Sequence, residues 1–165
     1  MIKFEKVSFE QFSKSIIDIF GFIISDEFVK EIYDNIKLPQ RGTNGSAGYD
    51  FFTPIDISFF PNSYQVIPTG IRFVTDSDNI LLALFPRSGL GFKYQSRLAN
   101  STAIIDSDYQ YSDNEGHIMI KMTGEKPFTV EAGKAFCQGI ILPYFTVDDD
   151  NVNNVRNGGF GSTGV

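Results

Sequence analysis

The chain has 165 residues, 42% of them hydrophobic and 15% aromatic, with 17 Phe and no Trp, which suits one globular domain with a real core rather than a disordered segment. A net charge of −6 excludes a broad basic surface for a nucleic-acid backbone; a small anion would need local basic groups and a divalent cation. The single Cys137 and single His117 exclude a disulfide framework and the ligand set of a zinc deaminase or zinc finger, and no apolar run approaches the roughly 20 residues of a membrane span.

Residues 1–40 read as a helical extension. The first seven alternate apolar and charged residues, unlike the apolar stretch of a signal peptide, so a soluble, intracellular protein is expected. Ser8-Phe9-Glu10-Gln11 has the form of a capping box, and Phe12, Ile16 and Ile17 continue one helical face. Ser25 opens a second helix, with Asp26 and Glu27 in its first turn and Phe28/Ile32 and Val29/Tyr33 pairing at i, i+4. Gly21 separates the two helices, which are expected to pack on the main body.

Residues 41–147 read as a β body. Ala47-Gly48-Tyr49-Asp50 is either an ordinary turn leading into a strand, or a place where Gly48 permits close backbone approach and Asp50 holds magnesium through water. Strand-like runs at 64–67, 71–74, 80–85, 117–122 and 135–145 alternate with turn signals at 61–63, 68–70, 76–79 and 131–133. Strands so short and regularly spaced predict an antiparallel barrel, sandwich or jelly roll. Pro86-Arg87-Ser88-Gly89-Leu90 stops the strand at 80–85 and leaves Arg87 and Ser88 at its lip, suited to phosphate; for Arg87 a structural bridge to a carboxylate is the alternative.

Within 100–109, Asp106 and Asp108 lie two apart and share a face if the segment is extended. An aspartate emerging from Ile104-Ile105 is expected to be partly desolvated, which suits a base; two solvated turn carboxylates are the alternative. His117 is expected to be an exposed or half-buried strand residue. Gln138, inside an apolar run, offers an amide to phosphate or is satisfied in the core. Residues 148–165 read as a solvated linker, rich in Asp and Asn, and a flexible arm. In the arm, 158–164 combines four glycines with Phe160, Ser162 and Thr163, downstream of Arg156. Such a segment is a frayed tail or a clamp that folds over a nucleotide, with inward N–H groups and Phe160 under a base.

Taken in order, 47–50, 86–90, 100–109, 133–138 and 158–164 resemble the five motifs of the trimeric dUTPases from about residue 38 onward. The helical extension is similar to that of a bacterial and phage subgroup. The resemblance implies a mainly β jelly-roll homotrimer with shared active sites, hydrolysing dUTP to dUMP and pyrophosphate with Mg²⁺. It implies no membrane or nucleic-acid partner, and a cytoplasmic location in a bacterial cell, the gene being chromosomal, phage or prophage. By resemblance, Asp106 polarises the attacking water, Tyr109 packs beneath the deoxyribose, and Asn100 with the backbone after it reads uracil. Arg87, Ser88 and Gln138 hold the phosphates, Asp50 holds a water on Mg²⁺, and Gly89, Ile105 and His117 complete the contacts. Arg156, Phe160, Gly161, Ser162 and Thr163 close over uracil and the γ-phosphate from a neighbouring subunit.

The chain departs from the family pattern in Ala103, in the position of Arg156 and in an insertion at 110–115. The insertion is expected to project beside the site, and it motivates a second reading as a nucleotide-gated module for a regulatory protein. A dCTP deaminase of the same superfamily would carry a different second motif and a glutamate base, and neither is evident.

Overall fold

Short apolar runs that alternate burial with exposure have no way to close except by pairing edge to edge. In the computed structural model, which describes residues 1–21, 24–154 and 156, they do so throughout. The chain begins with β1 (Ile2–Lys6), α1 (Phe9–Phe20) and α2 (Asp26–Asp34), followed by β2 (Gln40–Arg41), β3 (Tyr49–Phe52), β4 (Ile57–Phe59), β5 (Tyr64–Pro68) and β6 (Ile71–Thr75). Next come β7 (Ile80–Pro86), α3 (Ser88–Tyr94), β8 (Arg97–Leu98), β9 (Ala103–Asp106) and a 3-10 turn (Ser107–Tyr111). β10 (Met119–Thr123), β11 (Phe128–Val130) and β12 (Ala135–Pro143) complete the body. The sheets have the orders β1-β6, β5-β10-β8, β11-β4 and β2-β3-β12-β7-β9. Their common core includes Phe12, Phe51, Phe59, Phe73, Leu82, Leu84 and Phe136, giving the jelly-roll-like β body expected. Among the described residues no helix is long and apolar enough to cross a membrane.

The extension is not purely helical. Ile2 and Phe4 alternate with Lys3 and Glu5, a period-two pattern, and β1 pairs antiparallel with β6 from Ile2↔Thr75 to Lys6↔Ile71. Phe4 packs its ring against Tyr49, Phe51 and Phe73, so the N-terminus is woven into the body. Both helices begin where expected. Ser8 and Ser25 are the N-caps, accepting from the N–H groups of Gln11 and Phe28. Gly21 ends α1 in the left-handed conformation at φ 67°.

The reciprocal half of the capping box comes from elsewhere. Glu115, far away in the chain, accepts from the Ser8 N–H at 2.7 Å and from the Ser8 hydroxyl at 2.6 Å. The Gln11 amide turns instead to Ser15 Oγ. Beside this contact His117 is fully buried, contrary to the expected strand position at the surface. Its Nε2 accepts from the Gly70 N–H at 2.8 Å, so the proton sits on Nδ1, 3.0 Å from Ser15 Oγ. Ser15 Oγ in turn donates to the Gln11 carbonyl. With both ring nitrogens engaged inside the body, the His117 side chain is not a substrate contact.

Burial pushes the His117 pKa down from 6.5 to about 4, against a smaller opposing pull from Glu115. The unfolded chain therefore binds a proton that the folded chain refuses, so stability is complete above pH 6.5 and is lost as pH falls toward 4. Urea unfolding is expected to show a loss of about 2 kcal/mol between pH 7 and pH 5, and His117→Gln should remove most of that dependence. An equal slope in the variant would assign it to other groups.

Candidate active site

β7 is hydrogen-bonded on both sides, by β12 and by β9, and this pairing places the candidate groups. At one end Asp106 of β9 faces Leu81; toward the other, Gln138 of β12 faces Phe85. Gln138 also pairs with Asp50 on β3, and Arg87 follows β7 directly.

The first cavity, of about 200 Å³, is lined by Asn100, Ile105, Asp106, Tyr109, Met119 and Arg156, among others. Asp106 ends its strand and serves as N-cap residue of the 3-10 turn. The turn, not a continued strand, brings Asp108 to the same side, which corrects the shared-face expectation. Arg156 binds both carboxylates: Nη2 meets Asp106 Oδ2, and Nε meets Asp108 Oδ1 at 2.8 Å. Its guanidinium carbon lies 5.9 Å from the Tyr109 ring centre. The side chains of Asp106 and Asp108 are 45% and 50% exposed, so Asp106 is half solvated and its close partner is a cation rather than an apolar wall. The Tyr109 ring is buried, which raises its pKa, and its hydroxyl donates to the His117 carbonyl at 2.9 Å.

The second cavity, of about 400 Å³, gathers Gly48, Asp50, Arg87, Ser88 and Gln138. Arg87 Nε lies 3.3 Å from Asp50 Oδ1, so the carboxylate bridge foreseen as an alternative for Arg87 is present, at the cavity wall. A Cβ on Gly48 would come within 2.8 Å of Gln138 Oε1, the close approach that position was expected to allow. Gln138 is half-buried and lines the cavity; it is not a core residue. Ser88 and Gly89 are exposed in the first turn of α3. Among the described residues no three His, Cys, Asp or Glu side chains form a metal cage. The lone carboxylate of Asp50, beside Arg87, Ser88 and Gln138, fits Mg²⁺ instead, an ion that favours one or two carboxylates, phosphates and retained water.

The insertion at 110–115 does not simply project. Gln110 is buried and donates to the Thr75 and Ser107 carbonyls, Ser112 is buried, and Glu115 caps α1. Tyr111 and Asp113 remain exposed and are what a protein partner could reach. Asn114, which sequence reasoning passed over, donates from Nδ2 to the Tyr109 hydroxyl at 2.8 Å. Its turn-forming neighbours were the available signal. Phe160, Gly161, Ser162 and Thr163 lie outside the described residues.

Gly116 closes this segment at φ 72°, where a Cβ would meet Gln110 Cα at 2.7 Å and the Tyr109 carbonyl at 2.9 Å. Gly116→Ala is expected to cost on the order of 2 kcal/mol in urea unfolding, because both conformation and space oppose it. A neutral substitution would show that the loop shifts freely.

A family model described as dUTPase matches residues 34–165. The deoxyuridine 5'-triphosphate nucleotidohydrolase of Lactococcus lactis subsp. lactis is 36% identical over 135 residues, covering 79% of this chain and 89% of that protein. Among solved structures, a dUTPase from Streptococcus mutans is 27% identical with a TM-score of 0.64, covering 88% of this chain and 98% of that one. A mutant dUTPase from phage phi11 of S. aureus, solved with the coordination of a structural Mg(II) ion, is 16% identical at a TM-score of 0.64 and covers 93% and 97%; it shares the fold.

Proposed function

The chain belongs to the dUTPase family, and we propose that it hydrolyses dUTP to dUMP and pyrophosphate by attack of water on the α-phosphorus. The observation that carries this reading is the convergence of Asn100, Ile105, Asp106 and Tyr109 on one cavity. The Asp106 carboxylate orients the water and accepts its proton as the bond from the α-phosphorus to the bridging oxygen breaks and pyrophosphate leaves. Asn100 and the backbone of the hairpin read the uracil edge, and the Tyr109 ring beneath the sugar leaves no room for a 2′-hydroxyl. Arg87, Ser88 and Gln138 hold the phosphate chain. Asp50 would hold Mg²⁺ through water, and the ion would neutralise triphosphate charge.

Arg156 sits on Asp106 and Asp108 of its own chain. Substrate phosphates offer that guanidinium a stronger anion and release Asp106 to its water. The arm then covers the site, with Phe160 on the base and Gly161, Ser162 and Thr163 donating to phosphate; base–aromatic stacking of this kind is worth roughly 1–3 kcal/mol.

The same layout supports a homotrimer with sites shared between subunits. Asp106 and Gln138 pair with positions four residues apart on β7, from opposite sides. At strand spacing this separates their Cα atoms by about 16 Å, and the two side chains line different cavities. Exposed apolar groups such as Ile104, Leu142 and Phe145 supply surface for a neighbouring copy to bury.

Asp106→Asn is expected to lower kcat by about 10²–10⁴-fold while dUTP binding persists; unchanged turnover would move the base elsewhere. Hydrolysis of dUTP, dTTP, UTP and dCTP measured side by side should favour dUTP alone, and ammonia from dCTP would indicate a deaminase. Sedimentation should give three times 18.5 kDa, and a monomer would remove the shared site.

A further inference from the structure

We propose that Asn114, together with the inserted segment that carries it, is a positioning residue that holds Tyr109 in place and so sets discrimination between deoxyribose and ribose. This rests on the reading of Tyr109 as the floor beneath the sugar. The Tyr109 hydroxyl has its donor and one acceptor site fixed. It donates to the His117 carbonyl at 2.9 Å and accepts from Asn114 Nδ2 at 2.8 Å. The orientation of the Asn114 amide is itself determined, because Oδ1 accepts from the Gly116 N–H at 3.1 Å and leaves Nδ2 facing inward. Asn114 is therefore more than a turn former. Its side chain closes the loop with one atom and anchors the far end of the Tyr109 ring with the other.

The anchor is in turn held from α1. Glu115 adopts φ 59°, a left-handed conformation that favours glycine, and its carboxylate is fixed by the Ser8 N–H and hydroxyl. Gly116 presses against the backbone of Tyr109 and Gln110, and the next residue, His117, bonds Ser15 of α1. The N-terminal helix thus reaches the nucleotide cavity through Ser8, Glu115 and Asn114 without touching it. Loss of one hydrogen bond to the buried hydroxyl leaves the ring free to tilt away from the position that clashes with a 2′-hydroxyl.

The test is the ratio of kcat/KM for dUTP to that for UTP, which does not change with the fraction of folded enzyme. Asn114→Ala and the near-isosteric Asn114→Asp, which removes the Nδ2–H donor, should each lower the ratio about 10-fold. Tyr109→Phe removes this bond together with the one to the His117 carbonyl and should lower the ratio at least as much, and adding Asn114→Ala to it should lower the ratio no further, since the Asn114 bond is already gone. An unchanged ratio in both Asn114 variants, or additive losses in the double variant, overturns the proposal. If Tyr109→Ala leaves the ratio unchanged, the sugar-floor reading fails, and the proposal falls with it. If Tyr109→Ala lowers the ratio while the Asn114 variants do not, the positioning role alone fails.

Discussion

The double pairing of β7 governs the rest of the molecule. Seven residues, Ile80–Pro86, are bonded along one side to β12 and along the other to β9, and their central side chains Leu82, Ala83 and Leu84 are buried. A strand bonded on both edges cannot slide without inverting its buried and exposed faces. Its register therefore fixes Asp106 near one end and Gln138, Asp50 and Arg87 near the other. Gly139, opposite Leu84, reinforces this: a Cβ there would come within 2.8 Å of Leu82 and 3.0 Å of Leu84 and Phe51. The separation between the two cavities is thus a property of the core.

Electrostatics then divides the two ends. Asp106 and Asp108 place two carboxylates side by side, an arrangement that calls for a cation, and Arg156 supplies it. With the carboxylates about half exposed, such ion pairs are worth at most about 1 kcal/mol each. That is weak enough for a stronger anion to displace them. At the other end Arg87 and Asp50 pair at the cavity wall, keeping a cation and a carboxylate side by side.

Local chemistry was legible in the sequence wherever the determining residues were neighbours. Ser8 and Ser25 announced their helices, the apolar run 80–85 announced β7, and the order of five short motifs announced the family. What escaped depends on distant partners. His117 is buried because Gly70 and Ser15, 47 and 102 residues away, engage its two nitrogens. β1 was hidden because five alternating residues become a strand only when β6 is beside them. α3 contains Gly89 and Gly91, poor helix formers, and forms only at the end of β7. The insertion turned inward because Gln110 finds the Thr75 carbonyl and Glu115 finds Ser8, which no spacing within 110–115 could reveal.

Co-expression of two variants that are each inactive, Asp106→Asn and Arg87→Ala, tests the shared site most directly. If each site takes Asp106 from one subunit and Arg87 from another, random mixing should restore about a quarter of wild-type dUTP hydrolysis per site. Activity no higher than that of the two parents would mean that both residues serve the same site from one chain, contradicting the shared site.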